Sequence, residues 1–588
     1  LQGQGVIAML DLLIRDGTII DGTGAKPYRG DLAISGDRVV EIGHLGEAQA
    51  ERVLNANGMA VAPGFIDIHS HHDLYLVDQD PVLRFESFVR QGVTTCVIGN
   101  CGWTLAPCLP ETKHMVLDLI RSMGVPVERF YWNTMAEYLE YVEEQGLICN
   151  VAHLAGHGTI RLSVMGDDNR FCRPDELARM QDLLRECMEA GCIGVSTGLM
   201  YYPGMYAHTD ELVEMARVAG EYGGRYATHL RGYCSTLPDS LTEAITIAEK
   251  AQVPLQVSHL HAVPFLGQAA DLLYYSINLF ETVNRVIPIP GRPNAALQKA
   301  LALIAKALAR GLDVGVDAVP YTLGNTTATV LFPPWANKGG KARLLERLRD
   351  PALRRRMEED IRTTVPKWPH WEEGSWSDPY IRAIGWKPIN VLSVKSDQNR
   401  WAEGKSLAEV ARHWQTDPFS GLVKLMLEED GEVTFTFGYP ARPWIEKMFN
   451  EMLRFPPMSI GADSVLPSFG TPPPSAYGCF PRVLGHYSRD LRLFPIETAV
   501  QKMTSLSARR YRGLEGRGEL TKGSFADIVV FDPQKVGEKF DPRSRPLFAD
   551  GITHVFINGV PMLWAGEFHG DRRPGRLLRR TPATVRMA

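Results

Sequence analysis

The segment Pro63-Gly64-Phe65-Ile66-Asp67-Ile68-His69-Ser70-His71 places two histidines at the end of a short apolar run. In a strand, residues i and i+2 face the same side, so His69 and His71 converge and could share one metal ion. A lone His-x-His also arises in exposed loops, so the pair needs support from elsewhere in the chain. Support comes from other apolar runs that end in metal-competent side chains. Cys101 follows Cys96-Val97-Ile98, His229 follows Arg225-Tyr226-Ala227-Thr228, His259 follows Leu255-Gln256-Val257-Ser258, and Asp463 follows Met458-Ser459-Ile460. Each alone reads as a buried or loop residue, and Cys101 as a small hydrophobe. Their recurrence at strand ends is hard to explain by packing, because the C-terminal ends of barrel strands face one common mouth.

The elements needed to hold these residues are legible. From about Pro63 to Leu506, strand-length runs such as Ile193-Gly194-Val195 and Val314-Gly315-Val316 alternate with helical stretches. The latter include Asp175 to Ala190, Thr209 to Tyr222, Leu241 to Ala251 and Ala295 to Arg310. Alternating βα units predict an α/β fold with a parallel sheet, and this many in one block predicts a (β/α)8 TIM-like barrel. An open doubly wound sheet is the competing reading. No Gly-x-Gly-x-x-Gly turn follows an early strand, which weighs against a dinucleotide fold. Both ends of the chain read as hairpins, with Asp16-Gly17, Gly36-Asp37 and Asn558-Gly559 as turns. Residues 9–62 and 507–588 are therefore expected to form one small discontinuous β-sandwich domain, with the barrel over 63–506.

Composition narrows the class. A chain of 588 residues exceeds what one core sustains, so more than one domain is expected. With 45% hydrophobic and 22% charged residues it reads as folded, and a net charge of −5 argues against a nucleic-acid partner. No apolar run approaches the ~18–20 residues that span a bilayer, so no membrane role is expected. Nine scattered cysteines argue against a disulfide scaffold and for a reducing, cytoplasmic setting. Leu1 to Ala8 lack the features of a signal peptide, and Met9 reads as a natural start.

At this point the chain resembles the amidohydrolase superfamily, and within it the N-acyl-D-amino-acid deacylase (D-aminoacylase) family. The resemblance rests on Pro63 to His71, Gly99-Asn100-Cys101-Gly102, Gly156-His157-Gly158, Ser196-Thr197-Gly198-Leu199, Asn399-Arg400-Trp401, Phe480-Pro481-Arg482-Val483-Leu484-Gly485 and Ala526 to Pro533. It implies one tight zinc held by Cys101, His229 and His259. A second, weaker or optional position is lined by His69, His71 and Asp463. Superfamily relatives often bridge two metals with a carboxylated lysine; Ile193-Gly194-Val195-Ser196 offers none, and a cysteine ligand fits that absence. The implied chemistry is amide hydrolysis by metal-bound hydroxide, with Asp463 as general base and then acid.

The chain also departs from the family pattern. Tyr321 matches the family tyrosine that meets the substrate carboxylate, but His261 stands where a lysine is expected, and Ser475 replaces the expected arginine. Serine cannot reproduce a bidentate arginine clamp. Arg231 and Arg482 remain as cations of undecided reach. His72 stands where relatives carry Asp, and His157 and His208 are candidate outer donors. An extra segment, residues 264–294, carries Phe265, Leu272, Leu273, Tyr274, Tyr275, Ile277, Leu279 and Phe280, spaced as a short amphipathic helix. It is read as a lid or pocket wall, or else as a contact in a homo-oligomer. Trp103, Tyr201, Tyr202 and Tyr206 also follow strand ends. With the arginine missing, they suggest a small-molecule substrate that is a bulky apolar or aromatic amide. The alternatives are an N-acyl-D-amino-acid deacylase of ordinary specificity and an inactive scaffold on the same fold.

Overall fold

The structure is a computed structural model. It describes residues 9–580 except 78–80, 122, 124–126, 128–129, 273–294, 370, 373, 439–442, 467–469 and 540–546. Parallel strands follow one another in chain order. Phe65–Asp67, Val93–Ile98 and Asn150–His153 form a three-stranded sheet. Ala155–Gly156, Gly194–Gly198, Arg225–His229, Leu255–Val257, Val314–Ala318 and Met458–Ile460 form a six-stranded one. Between the two, Leu154 N–H donates to Ile98 O and Ile193 N–H to His153 O, both at 2.9 Å. At the opposite edges, Asp463 N–H donates to His69 O at 2.8 Å, and Ala462 N–H to Asp67 Oδ1 at 2.9 Å. The two sheets are thus tied to each other along both sides.

These strands read as continuous apolar runs because both of their faces are covered. Every residue of Val93–Ile98, Gly194–Gly198, Arg225–His229 and Val314–Ala318 is buried. The intervening helices lie where the periodicity predicts them, at Pro174–Glu189, Thr209–Glu221, Leu237–Ala251 and Ala295–Ala309. One begins a turn earlier than expected, because Pro238 falls in the first turn, where its missing N–H costs nothing.

The two ends of the chain meet in a single nine-stranded mixed sheet, in which Ile528–Phe531 pairs antiparallel with Ala60–Pro63. Alternation divides its faces. Ile528 and Val530 join Leu12, Ile14, Leu32 and Ile34 in a core of their own, while Val529 and Phe531 join the main core. Asn558 and Gly559 both take the positive φ that the tight hairpin turn requires, 49° and 80°.

A further sheet was not anticipated. Between Val314–Ala318 and Met458–Ile460, the strands Leu323–Thr327, Val433–Gly438 and Ile389–Val394 pair antiparallel, with Val433–Gly438 in the centre. Helices including Gly340–Arg349, Pro351–Thr363 and Pro418–Glu428 accompany it. The segment expected at 264–294 is described only to Leu272, where Asp271 Oδ1 accepts from the N–H groups of Trp386 and Lys387. The amphipathic helix expected beyond it lies outside the described residues. Among the described residues, no helix is long and apolar enough to cross a membrane. All nine cysteines are free thiols.

Candidate metal centre

The structure brings the six metal-competent residues together at the strand ends. Cys101 Sγ lies 3.4 Å from His69 Nε2, 3.7 Å from His229 Nδ1 and 3.5 Å from His259 Nε2. Asp463 Oδ1 lies 3.4 Å from His69 Nε2 and 3.2 Å from His71 Nε2. The donor atoms fall into two groups, each with all atoms within 4.8 Å of one another: Cys101, His229 and His259; and His69, His71, Cys101 and Asp463. Cys101 belongs to both.

Local sequence explains the placement. Cys101, His259 and Asp463 adopt left-handed backbone conformations, with φ of 55°, 33° and 46°. Such strain in non-glycine residues persists where the surroundings fix it, and functional sites are where it concentrates. The Gly-Asn-Cys-Gly run is built for this bend. A Cβ at Gly99 would meet Leu154 O at 2.3 Å, and one at Gly102 would meet Gly198 N at 2.8 Å. Asn100 Nδ2 donates to Ser70 O at 3.2 Å and Val97 O at 2.9 Å, tying the cysteine loop to the histidine loop. Ser196 Oγ accepts from Gly102 N–H at 3.0 Å and donates to Gly99 O at 2.5 Å.

Two buried carboxylates, not singled out in the sequence, position the ligands from behind. Asp317 Oδ1 accepts from His259 N–H at 2.6 Å and stands 3.5 Å from His69 Nδ1. Its Oδ2 accepts from Gln256 Nε2 at 2.8 Å. Burial, reinforced by Asp463, pushes the Asp317 carboxyl up to about 7. Asp67 Oδ1 accepts from His69 N–H at 3.2 Å as well as from Ala462 N–H. On the far side, Tyr233 Oη lies 3.2 Å from His259 Nδ1. Asp317 and Asp67 thus hold the backbone of His259 and His69, and Tyr233 gives the His259 ring an outer partner that helps fix its orientation.

The donor set fits a soft or borderline divalent metal. Burial pushes the His69, His229 and His259 imidazoles below their usual range, the direction that suits metal ligation. Burial would raise the Asp463 carboxyl, but His259, His69 and His71 hold it below the usual carboxylate range. Burial and nearby carboxylates push the Cys101 thiol up; a cation between it and the imidazoles would offset that penalty. The His229 Nε2 and His71 Nδ1 atoms are buried without a partner among the described residues.

Two cavities flank the centre. The larger, about 1020 Å³ of open space, is lined by His229, His259, His261 and Asp463, and walled by residues such as Leu297, Phe437, Met448 and Phe449. The smaller, about 520 Å³, is lined by His71, Cys101, Trp103 and Asp463. Tyr201, Asn325, Thr326 and Asp463 border both. The unanticipated antiparallel sheet therefore roofs the site, supplying Asn325, Thr326 and Phe437. Trp103 and Tyr201 pack with ring centroids 4.4 Å apart, and Tyr201 stands 4.6 Å from His229.

The other expected residues divide. Tyr321 and His261 line the larger cavity. His261 stacks on Tyr233 at 4.1 Å, and its Nε2 is buried without a partner among the described residues. Tyr202 lines neither cavity; it borders a separate small pocket with Tyr201 and Trp376, and its ring lies against Gly340. Ser475 is buried, with its Oγ 2.9 Å from Ser464 Oγ, and lines neither cavity. Arg231 is buried on Glu243, at 3.0 and 3.1 Å, with further donations to Met205 O and Ala207 O. Arg482 pairs with Glu538 and donates to Pro320 O at 2.8 Å. His72 sits in an aromatic box, 3.8 Å from Phe88, and burial lowers it to about 3. His157 bonds to Glu211 at 2.8 Å, and His208 caps the helix Thr209–Glu221, so neither is an outer donor to the ligands.

Known proteins similar to the chain are amidohydrolases. The profile of the amidohydrolase family matches residues 52–350 and 408–562. Over 577 residues the chain is 35% identical to D-aminoacylase of Alcaligenes xylosoxydans xylosoxydans, covering 97% of this chain and 98% of that protein. A solved structure of N-acyl-D-glutamate deacylase from Bordetella bronchiseptica, complexed with zinc and a phosphonate inhibitor, aligns with a TM-score of 0.74 at 29% identity. It covers 97% of this chain and 100% of that chain. A D-aminoacylase structure described for its binuclear metal center aligns with a TM-score of 0.73 at 30% identity, with the same coverage. These likenesses give the chain a TIM-barrel-like α/β fold.

Proposed function

The chain belongs to the amidohydrolase superfamily and, within it, to the D-aminoacylase family of N-acyl-D-amino-acid deacylases, and on that footing we propose that it is a zinc enzyme for bulky apolar or aromatic amides. It is a metal-dependent hydrolase of non-peptide C–N bonds. The finer reading rests on one observation: among its described lining residues, the larger cavity holds no lysine or arginine. Arg231 is spent on Glu243 and Arg482 on Glu538, and Ser475 offers no bidentate fork.

Cys101, His229 and His259 would hold the tight zinc, with His69, His71 and Asp463 at a second position. When bound, zinc supplies Lewis acidity, drawing the pKa of water from ~15.7 towards ~7 and favouring a developing oxyanion. Asp463 borders both cavities, so an amide lying across it would place one arm in each. Held ionised by the histidines around it, Asp463 orients water, takes its proton and returns it to the departing nitrogen. His69 and His71 fix that carboxylate, and Asp317 fixes His69 and His259. Trp103 and Tyr201 wall the smaller cavity with aromatic surface, while Leu297, Phe437 and Phe449 do so in the larger. Such walls gain from burying apolar groups and exclude water from the reacting amide.

The reading extends to architecture. The two parallel sheets act as one closed (β/α)8 barrel over residues 63–506. The terminal sheet acts as a small sandwich domain over 9–62 and 507–588. The hydrogen bonds along both sheet edges support the first, and the separate core on one face of the terminal sheet supports the second. A panel of amides tests the substrate class. Aryl and alkyl amides without a carboxylate should show higher kcat/KM than N-acetyl-D-methionine; the opposite order would overturn it.

A further inference from the structure

The larger cavity has a feature that the metal chemistry does not use. Tyr321, on its wall, donates its phenol proton to Glu538 Oε2 at 2.5 Å. The carboxylate comes from a distant part of the chain, just past the terminal strand Ile528–Phe531. Its other oxygen takes Arg482, whose guanidinium also lies 4.8 Å from the Tyr321 ring. The three groups meet as one carboxylate, one cation and one hydroxyl donor, each half-buried or buried. Gly478 is what lets them meet, since a Cβ there would fall 2.7 Å from Glu538 Cβ and 2.9 Å from Tyr321 Oη.

We propose that Glu538 is a specificity-determining residue, an internal carboxylate that stands behind Tyr321, pairs with Arg482 and turns the Tyr321 wall of the cavity against anionic substrates. The inference rests on the reading of the site as an amide hydrolase for neutral compounds. The phenol has one proton, and Glu538 holds it. Burial, then Glu538, pushes the Tyr321 phenol up, so the proton stays on the oxygen. Towards the cavity, Tyr321 can therefore only accept a hydrogen bond. A substrate carboxylate there would meet an acceptor backed by a negative charge, and the Arg482 charge is already neutralised. A neutral group, such as a carboxamide or a ring, meets no such penalty. Glu538 acts through Tyr321, so it is a positioning residue for specificity and takes no part in bond breaking.

The test is a matched pair of substrates, an N-acyl amino acid and its carboxamide, assayed with zinc-loaded wild type and Glu538→Gln. Removing the charge should lower the KM of the carboxylate compound and shrink the carboxamide preference in kcat/KM by at least about tenfold. Gly478→Ala, which forces Glu538 off the phenol, should shift the ratio the same way and serves if Glu538→Gln does not fold. A purely structural role would change both substrates alike. A ratio within twofold of wild type, in a folded variant with normal zinc content, overturns the inference. The wild-type preference by itself tests the neutral-substrate reading, so the two fail separately.

Discussion

Cys101→Ala should give a folded protein that no longer retains zinc through gel filtration and hydrolyses no amide. The side chain is small and buried, so its loss leaves little void. Its chemical loss is large, because Cys101 is the one residue shared by both donor groups. Removing an outer partner of a metal ligand typically costs ~10- to 100-fold in affinity. Removing the thiolate itself should cost more, and metal analysis of the purified variant reads it directly. An unchanged melting temperature of the metal-free forms of both proteins would show that the change lies at the site and not in the fold. A variant that keeps a full equivalent of zinc would remove Cys101 from the ligand set.

The second large effect is expected at Asp463. Asp463→Asn should keep the tight zinc, since Cys101, His229 and His259 are untouched, while kcat falls by about 10²- to 10⁴-fold. The amide of asparagine is nearly isosteric with the carboxylate but cannot take a proton. The wild-type carboxyl is held low by His259, His69 and His71, so it is ionised and ready at neutral pH. The left-handed backbone at Asp463 tolerates asparagine well, which makes the substitution a test of chemistry. Zinc content and turnover measured on the same sample separate the two roles. Near wild-type turnover would remove the acid–base role.

Much of this site was legible because it is made of strand ends. His69, His71, Cys101, His229, His259 and Asp463 each close an apolar run, and a parallel strand with both faces covered announces itself as such a run. The helices were legible by periodicity and the terminal sheet by its turn dipeptides. Less legible was whatever depends on long-range partners. Asp317 and Asp67 looked like ordinary strand residues; nothing local reveals that Asp317 would meet both His259 and His69. Arg231 stood close to His229 in sequence, yet Glu243, nearly two turns into the next helix, claims it. Tyr202 follows Tyr201 directly, but the chain turns there and carries it to another pocket. The antiparallel roof was missed for a related reason. Val433-Thr434-Phe435-Thr436-Phe437 alternates as a strand should, but it lies inside a block dominated by βα units. Glu538 was invisible: its partners are Tyr321 and Arg482, far away in sequence.

The account stands most directly on metal and activity counted together. Zinc should be stripped from the purified protein by a chelator under native conditions and returned in measured amounts, with hydrolysis of a neutral aryl amide followed throughout. Activity should vanish with the metal and return in full as about one equivalent binds the site built on Cys101, His229 and His259. Hydrolysis that persists in the stripped protein, or a chain that holds its zinc and cleaves no amide, would contradict it.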